Sequence, residues 1–264
     1  MPELGEVEYY RRCWDIGTGK AVLRVHLNAG KRIFRDVDTE GMLKQLPGKK
    51  LVRSEASGKQ MLFKFGNDSW LGIHLGMSGT LSSEKGDYTP GKHDHLVLFQ
   101  KGQALVFNDP RQFGRVRFDQ GSDAPLWWSG LAPAIGSSGF TLKTMKEFVG
   151  SHGKLSIKSI LLLQEGFPGV GNWMADEILW QAKINPNRKG GQLTPAEQSK
   201  IFQFTLFVCA EALKRVPKAL DSLPADWLFH ERWKTKGNCP KHRSPLVRDT
   251  IGGRTTAWCP KCQK

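Results

Sequence analysis

The sequence predicts an α+β multidomain protein, on three observations. Short apolar runs divided by turn residues fill positions 21–118, the period becomes helical from 142 to 215, and the last 34 residues carry two Cys/His knuckles. At 264 residues the chain also exceeds the usual length of one domain.

Residues 3–16 read as a helix with Val7, Tyr10 and Trp14 on one side, Cys13 beside them, and Gly17-Thr18-Gly19 as its stop. Strand-like runs follow at 21–27, 50–57, 61–65, 70–75, 95–99, 104–108 and 114–118, the spacing of a sandwich or barrel. A short helix is expected at 38–45. Pro, Gly, Ser and Trp crowd 125–139, which marks a domain boundary. Helices are predicted at 142–149, 155–164, 173–182 and 195–215. The last opens on Thr194-Pro195-Ala196-Glu197, a capping box with Pro at the first helical position. Residues 217–228 read as a loop.

Net charge is +14 and the pI about 9.7, which calls for a polyanionic partner such as nucleic acid. An anionic membrane surface is the other candidate, but no basic amphipathic helix supports it. Residues 231–264 hold nine Lys/Arg against Glu231 and Asp249, so half the excess sits in an eighth of the chain. A hydrophobic content of 39% argues against wholesale disorder. No run approaches the roughly 18 apolar residues of a membrane span, and no secretory pattern opens the chain. The expectation is a soluble protein, cytoplasmic or nucleoid-associated. Five cysteines do not make a secreted disulfide framework; Cys13 and Cys209 read as core thiols.

The first eight residues, Met1-Pro2-Glu3-Leu4-Gly5-Glu6-Val7-Glu8, admit two readings. Trimming Met1 would leave Pro2 as a secondary amine, and an α-amino group titrates near ~8 against ~10.4 for lysine. Such an amine attacks sugar or carbonyl carbons to form Schiff bases, and a nearby Glu can serve as general acid/base. The same residues also make an ordinary acidic helix start with Pro in its first turn.

Cys239-Pro-Lys-His242 and Cys259-Pro-Lys-Cys262 are two x2 knuckles whose four ligands suit a closed tetrahedral zinc site. Gly252-Gly253 between them signals a hairpin of 246–251 with 254–259, which puts Arg254 beside the tip. A guanidinium there suits a phosphate. Gly166-Phe-Pro-Gly169-Val-Gly171-Asn172 joins two helical segments; it is either a helix-terminal anion site or a Gly-rich turn with Asn172 as N-cap. His74-Leu-Gly-Met77-Ser-Gly79 and Asp109-Pro-Arg111-Gln112-Phe113-Gly114 each leave a strand. Met77 and Phe113 there are core residues, or wedges for a base stack with Arg111. His93-Asp94-His95 is a poor metal spacing, and Lys59 after Gly58 is unremarkable by itself.

These motifs, in this order, resemble the formamidopyrimidine-DNA glycosylase/endonuclease VIII family of base-excision repair enzymes, closer to the formamidopyrimidine branch. The resemblance implies a helix-capped β-sandwich (1–125), a linker (126–140), a helix–two-turn–helix domain (141–230) and a zinc-finger hairpin (231–264). It implies a monomer that binds double-stranded DNA containing damaged bases or abasic sites in a basic cleft, and one structural zinc on Cys239, His242, Cys259 and Cys262. The damaged nucleotide would be flipped from the stack. Pro2 would attack C1′ and expel the base, after which β- and δ-elimination cut the strand. The resemblance makes Glu3 the principal proton donor, Glu6 a supporting acid, and Lys59 a phosphate contact that helps elimination. It has Lys59, His74, Asn172 and Arg254 grip the backbone, with Arg254 assisting δ-elimination. Met77, Arg111 and Phe113 would fill the gap, and His93 matches a DNA contact.

The chain departs from that pattern at Gly5, where the branch has proline, at Gln112, which replaces an arginine, and at His242, which replaces a zinc cysteine. Residues 217–232 look shorter than the loop that caps oxidised guanine, and Trp227-Leu-Phe229-His-Glu-Arg-Trp233 replaces an aromatic–glycine pattern. The lesion therefore stays open among ring-opened purines, oxidised pyrimidines and abasic sites. Two other functions compete: a non-catalytic binder of damaged DNA on the same scaffold, and an unrelated basic zinc-ribbon protein that binds RNA.

Overall fold

The first helix, α1, spans Leu4–Arg12 in the computed structural model and does not reach residue 16. Cys13 N donates to both Tyr9 O and Tyr10 O, so the last turn tightens and a 3-10 turn, Asp15–Gly17, follows. Trp14 thereby drops into the core, its indole N–H donating to the carbonyls of Ser82 and Val106. The structure describes residues 2–216 and 222–264. Met1, on whose removal the amine chemistry depends, and residues 217–221 of the expected capping loop lie outside the described residues. By contacts the chain divides into one unit of Pro2 with Glu6–Leu131 and another of Glu3–Gly5 with Ala132–Lys264.

The first unit contains β1 (Val22–Leu27), α2 (Thr39–Gln45), β2 (Leu51–Ser57), β3 (Gln60–Phe65), β4 (Ser69–His74), β5 (Thr80–Lys85), β6 (Asp94–Gln100), β7 (Gln103–Asn108) and β8 (Arg115–Gln120). They form two antiparallel four-stranded sheets, ordered β1-β6-β7-β5 and β2-β3-β4-β8. Period-2 alternation explains the core. Met61, Phe63 and Phe65 of β3 point inward and share one cluster with Leu96 and Leu98 of β6 and Leu105 and Phe107 of β7. Strand β5 escapes the sequence pattern because it is an edge strand whose only inward apolar residue is Leu81. The short helix α3 (Leu126–Ser129) lies inside the stretch read as a linker.

The second unit contains α4 (Leu142–Ser151), α5 (Ile157–Leu161), α6 (Asn172–Ala182), α7 (Pro195–Arg215) and the hairpin of β9 (Val247–Ile251) with β10 (Arg254–Trp258). Helix α5 is shorter than the expected 155–164 because Gln164 closes the next turn. Its side chain donates to the carbonyls of Leu162 and Val170 and accepts from Gly169 N. The Thr194/Glu197 capping box opens α7. Helix α6 is buried over most of its length, with Ile178 and Leu179 packed among Phe167, Ile160 and Val208. No helix among the described residues is long and apolar enough to cross a membrane.

Candidate active site

Glu3 is buried, 3% exposed, in the second unit. Its Oε1 accepts from Trp173 N at 3.0 Å and its Oε2 from Met174 N at 3.1 Å. These are first-turn amides of α6, whose N-cap, Gly171, has no side chain to satisfy them. The carboxylate is thus the cap of α6, supplied from the start of the chain. Leu4 N donates to Gly169 O at 3.0 Å alongside. The glycines are what permit this approach: a Cβ on Gly171 would stand 2.2 Å from Glu3 Cδ, and one on Gly169 2.6 Å from Leu4 Cδ1. The Gly-rich turn seats the N-terminal acid.

Asn172 is the first helical residue of α6, and the N-cap position falls to Gly171. Its Nδ2 donates to Thr255 O of β10 at 2.8 Å, while its Oδ1 is buried with no partner. Its backbone carbonyl accepts from Lys158 Nζ at 2.7 Å. Lys158 also bonds Asp176 Oδ1 at 2.5 Å, and Asp176 Oδ2 accepts from Arg232 Nη2 at 2.7 Å and from Ala257 N at 3.2 Å. All three charged side chains are buried. This network fixes the hairpin to the start of α6. It was missed in the sequence, although an Asp-Glu pair inside the apolar run Trp173–Trp180 was the sign of it. Gly252 and Gly253, at φ +58° and +71°, make the hairpin turn, and Arg254 leaves it exposed.

Cys239, His242, Cys259 and Cys262 come together with their ligand atoms all within 4.8 Å of one another, a group that can hold a metal ion. His242 is exposed and the three thiols are buried. Trp180 of α6 donates its indole N–H to Cys239 Sγ at 3.4 Å, which packs the knuckles onto the helix.

In the first unit, Pro2 is half-buried ahead of α1 and Glu6 is half-buried on it. Lys59 sits in the tight turn between β2 and β3, only 8% exposed. His74, at the end of β4, accepts from Gly76 N through Nδ1 at 3.0 Å, which leaves the ring hydrogen on Nε2. Burial, and then the charges of Lys59, Arg117 and Arg35, push its pKa down to about 4.

Met77 and Phe113 are not core residues: they stand 40% and 45% exposed. The two loops that carry them are locked by Asp109, which accepts from Ser78 Oγ at 2.8 Å and Gly114 N at 2.7 Å. They touch at Gly76, where a Cβ would lie 2.3 Å from the Phe113 carbonyl carbon. Arg111 is exposed, its guanidinium 4.8 Å from the Phe113 ring centre, and Gln112 takes a left-handed φ of +54°. His93 is half-buried. Its neighbours serve structure: His95 bonds Asp109 O at 3.0 Å, and Asp94 accepts from Tyr88, Gly91 and Asn108.

Similarity to known proteins runs along the whole chain. The sequence profile of the formamidopyrimidine-DNA glycosylase N-terminal domain matches residues 1–116, and that of the formamidopyrimidine-DNA glycosylase H2TH domain matches residues 130–221. The formamidopyrimidine-DNA glycosylase of Enterococcus faecalis is 30% identical over 276 residues, covering 100% of this chain and 98% of that protein. That of Geobacter metallireducens is 32% identical over 274 residues, with 100% of both chains covered. A solved structure of Lactococcus lactis Fpg with DNA containing an abasic site superposes with a TM-score of 0.89 at 26% identity, covering 99% of each chain. The same protein with DNA containing an oxidised pyrimidine gives 0.89 at 26%, covering 100% of each. With this similarity in sequence and in fold over its full length, the chain belongs to the formamidopyrimidine-DNA glycosylase family.

Proposed function

We propose that the chain excises oxidised or ring-opened bases from duplex DNA and then cleaves the abasic strand, with Pro2 as nucleophile. After loss of Met1 the Pro2 nitrogen attacks C1′, the N-glycosidic bond breaks and the base leaves with a proton. The sugar ring then opens at C1′–O4′, with a proton to O4′, and the iminium so formed acidifies the C2′ hydrogen. Its loss expels the 3′-phosphate, and a second elimination expels the 5′-phosphate. The observation that carries this reading is Glu3, the residue next to that amine, buried and pinned by two amides of α6. A carboxylate so held can move protons at the reacting sugar without losing its place.

Glu6 is a supporting acid, and Lys59 contacts a phosphate and aids elimination. His74, neutral and with its Nε2 hydrogen free to donate, grips the backbone together with Asn172 and Arg254, which also assists the second elimination. Met77, Arg111 and Phe113 occupy the space vacated by the flipped nucleotide, and their exposure suits that role. His93 is a further DNA contact. Zinc fits the Cys/His group. Cys239 Sγ and His242 Nδ1 stand 3.5 Å apart, against about 3.6 Å for tetrahedral zinc at ordinary bond lengths. Bound there, zinc would brace the hairpin that presents Arg254. The protein acts as a monomer in the cytoplasm, on nucleoid DNA.

Borohydride trapping on a duplex with a single abasic site tests the chemistry, using protein shown by mass spectrometry to lack Met1. A covalent protein–DNA complex that Pro2→Gly loses is the expected result. No complex from the processed wild type overturns the lyase and leaves a damaged-DNA binder on this scaffold.

A further inference from the structure

The outer face of the sheet β2-β3-β4-β8 carries a cationic pocket that none of the roles above uses. Its register places Arg115 opposite His74 and Arg117 opposite Gly72, so the two arginines stand on one face of β8, the edge strand. Arg35 comes in from the loop before α2, and together they line a cavity of about 280 Å³. Trp127 of α3 forms a wall. It lies over Gly72, where a Cβ would meet its ring at 2.6 Å, and Arg117 stacks on it with 4.3 Å from guanidinium to ring centre.

Three guanidiniums meet two carboxylates here, so the pocket keeps an excess of positive charge. Asp119 accepts from Trp127 Nε1 at 3.0 Å. Asp36 reaches Arg115 Nη2 at 3.3 Å, but its side chain is 78% exposed, which makes a weak pair. Arg115 Nε is buried with no partner. Burial first, then the charge of Arg115, partly offset by Asp119, and then that of Arg35 hold the Arg117 pKa below its usual value. An unpartnered guanidinium N–H, a net positive cavity and a rigid aromatic wall match one ligand chemistry, an oxyanion held by forked N–H donors.

We propose that Arg35, Arg115 and Arg117 form a phosphate-binding pocket that takes a phosphate group of the nucleic-acid strand. It rests on the DNA-binding reading above and extends it. Because Arg115 stands beside His74, the pocket adds a contact next to one already assigned, on a face of the sheet that the sequence does not single out.

The variant is Arg115→Gln/Arg117→Gln. Its binding to a duplex carrying a reduced abasic analogue is measured from low to moderate salt. The expected result is a Kd raised about 3- to 10-fold, with the slope of log K against log salt smaller by about 0.9 for the lost phosphate. Cleavage at saturating protein stays unchanged. Equal Kd and slope overturn the pocket. The analogue cannot form a Schiff base, so this outcome is independent of Pro2, and failed trapping would leave it standing. Inorganic phosphate gives a second reading on free protein. It should raise the His74 pKa from about 4 in the wild type, followed by NMR, and not in the double variant; a rise in both would assign the anion to Lys59 and overturn the proposal. Nicked duplexes with and without a terminal phosphate, compared with intact ones, separate monoester from diester binding.

Discussion

Glu3 caps α6, and the catalytic role proposed for it can be separated from that structural one. Glu3→Gln keeps a polar side chain on the Trp173 and Met174 amides but removes the charge that complements the helix terminus, a loss of about 1 kcal/mol. Base excision in single turnovers should fall 10²- to 10⁴-fold, the usual scale for a positioned acid/base, while the melting point moves little. Gly171→Ala reaches the same group by crowding. Its φ of −124° accepts alanine, so any loss comes from the 2.2 Å approach to Glu3. Cleavage should drop with secondary structure intact by circular dichroism. Gly5 is explained likewise. A Cβ there would stand 2.8 Å from Val216 Cβ and 2.9 Å from Ala212 O of α7, so this departure from the family allows close packing of the first turn. His74 makes a pH prediction. Its folded pKa is about 4, below the ordinary 6.5, so its contribution is complete above pH 6.5 and is lost as pH falls toward 4. The loss is about 3 kcal/mol at most, read as the difference in urea stability between pH 7 and pH 4 that His74→Asn removes.

At the scale of elements, α6 organises the second unit: its N-terminus holds Glu3, its middle holds the hairpin, and Trp180 holds the Cys/His group. Asp176 is the member most costly to alter. With Asp176→Asn, Lys158 and Arg232 remain buried without their carboxylate, and urea unfolding should show a loss of about 3–5 kcal/mol. Its neighbour Glu177 is buried and accepts from Gln181 Nε2 and Phe229 N. Burial, only partly offset by those bonds and by Lys241, pushes its pKa up to about 8. The folded state therefore binds this proton more tightly than the unfolded chain, and stability is lost as pH rises from 4.5 through about 8. Glu177→Gln should flatten that decline in melting temperature. A wild-type melting point that does not fall between pH 6 and 9 would contradict the burial of this acid.

At the scale of the whole molecule, the charge of +14 makes DNA affinity salt-dependent whatever the base sequence. A metal on the Cys/His group would be a second lever on it. One zinc per chain is expected by elemental analysis, and its removal by a strong chelator should weaken DNA binding and free the hairpin amides to exchange. His242→Cys should keep the metal, and His242→Ala should release it. Apparent affinity unchanged by complete removal would separate the metal from presentation of Arg254.

The sequence by itself determined the layers and most of the candidate site. Period-2 and period-3.6 patterns are local, as are the capping box, the Gly-Gly turn and the spacing of Cys239, His242, Cys259 and Cys262. Each is written in a few adjacent residues, so each is legible without a fold. Only the tertiary structure decided which of several uses a residue has. The glycines at 169 and 171 admit Leu4 and Glu3 because residues 165 and 168 positions away arrive there. Met77 and Phe113 are exposed because Asp109 knots their loops, and burial cannot be read from an apolar residue alone. Edge strand β5 was hidden because it pairs on one side and buries little. The Lys158–Asp176–Arg232 network and the arginine pocket bring together side chains from several elements. Long-range contacts of that kind leave no periodic trace, because no local rule governs where two distant segments meet.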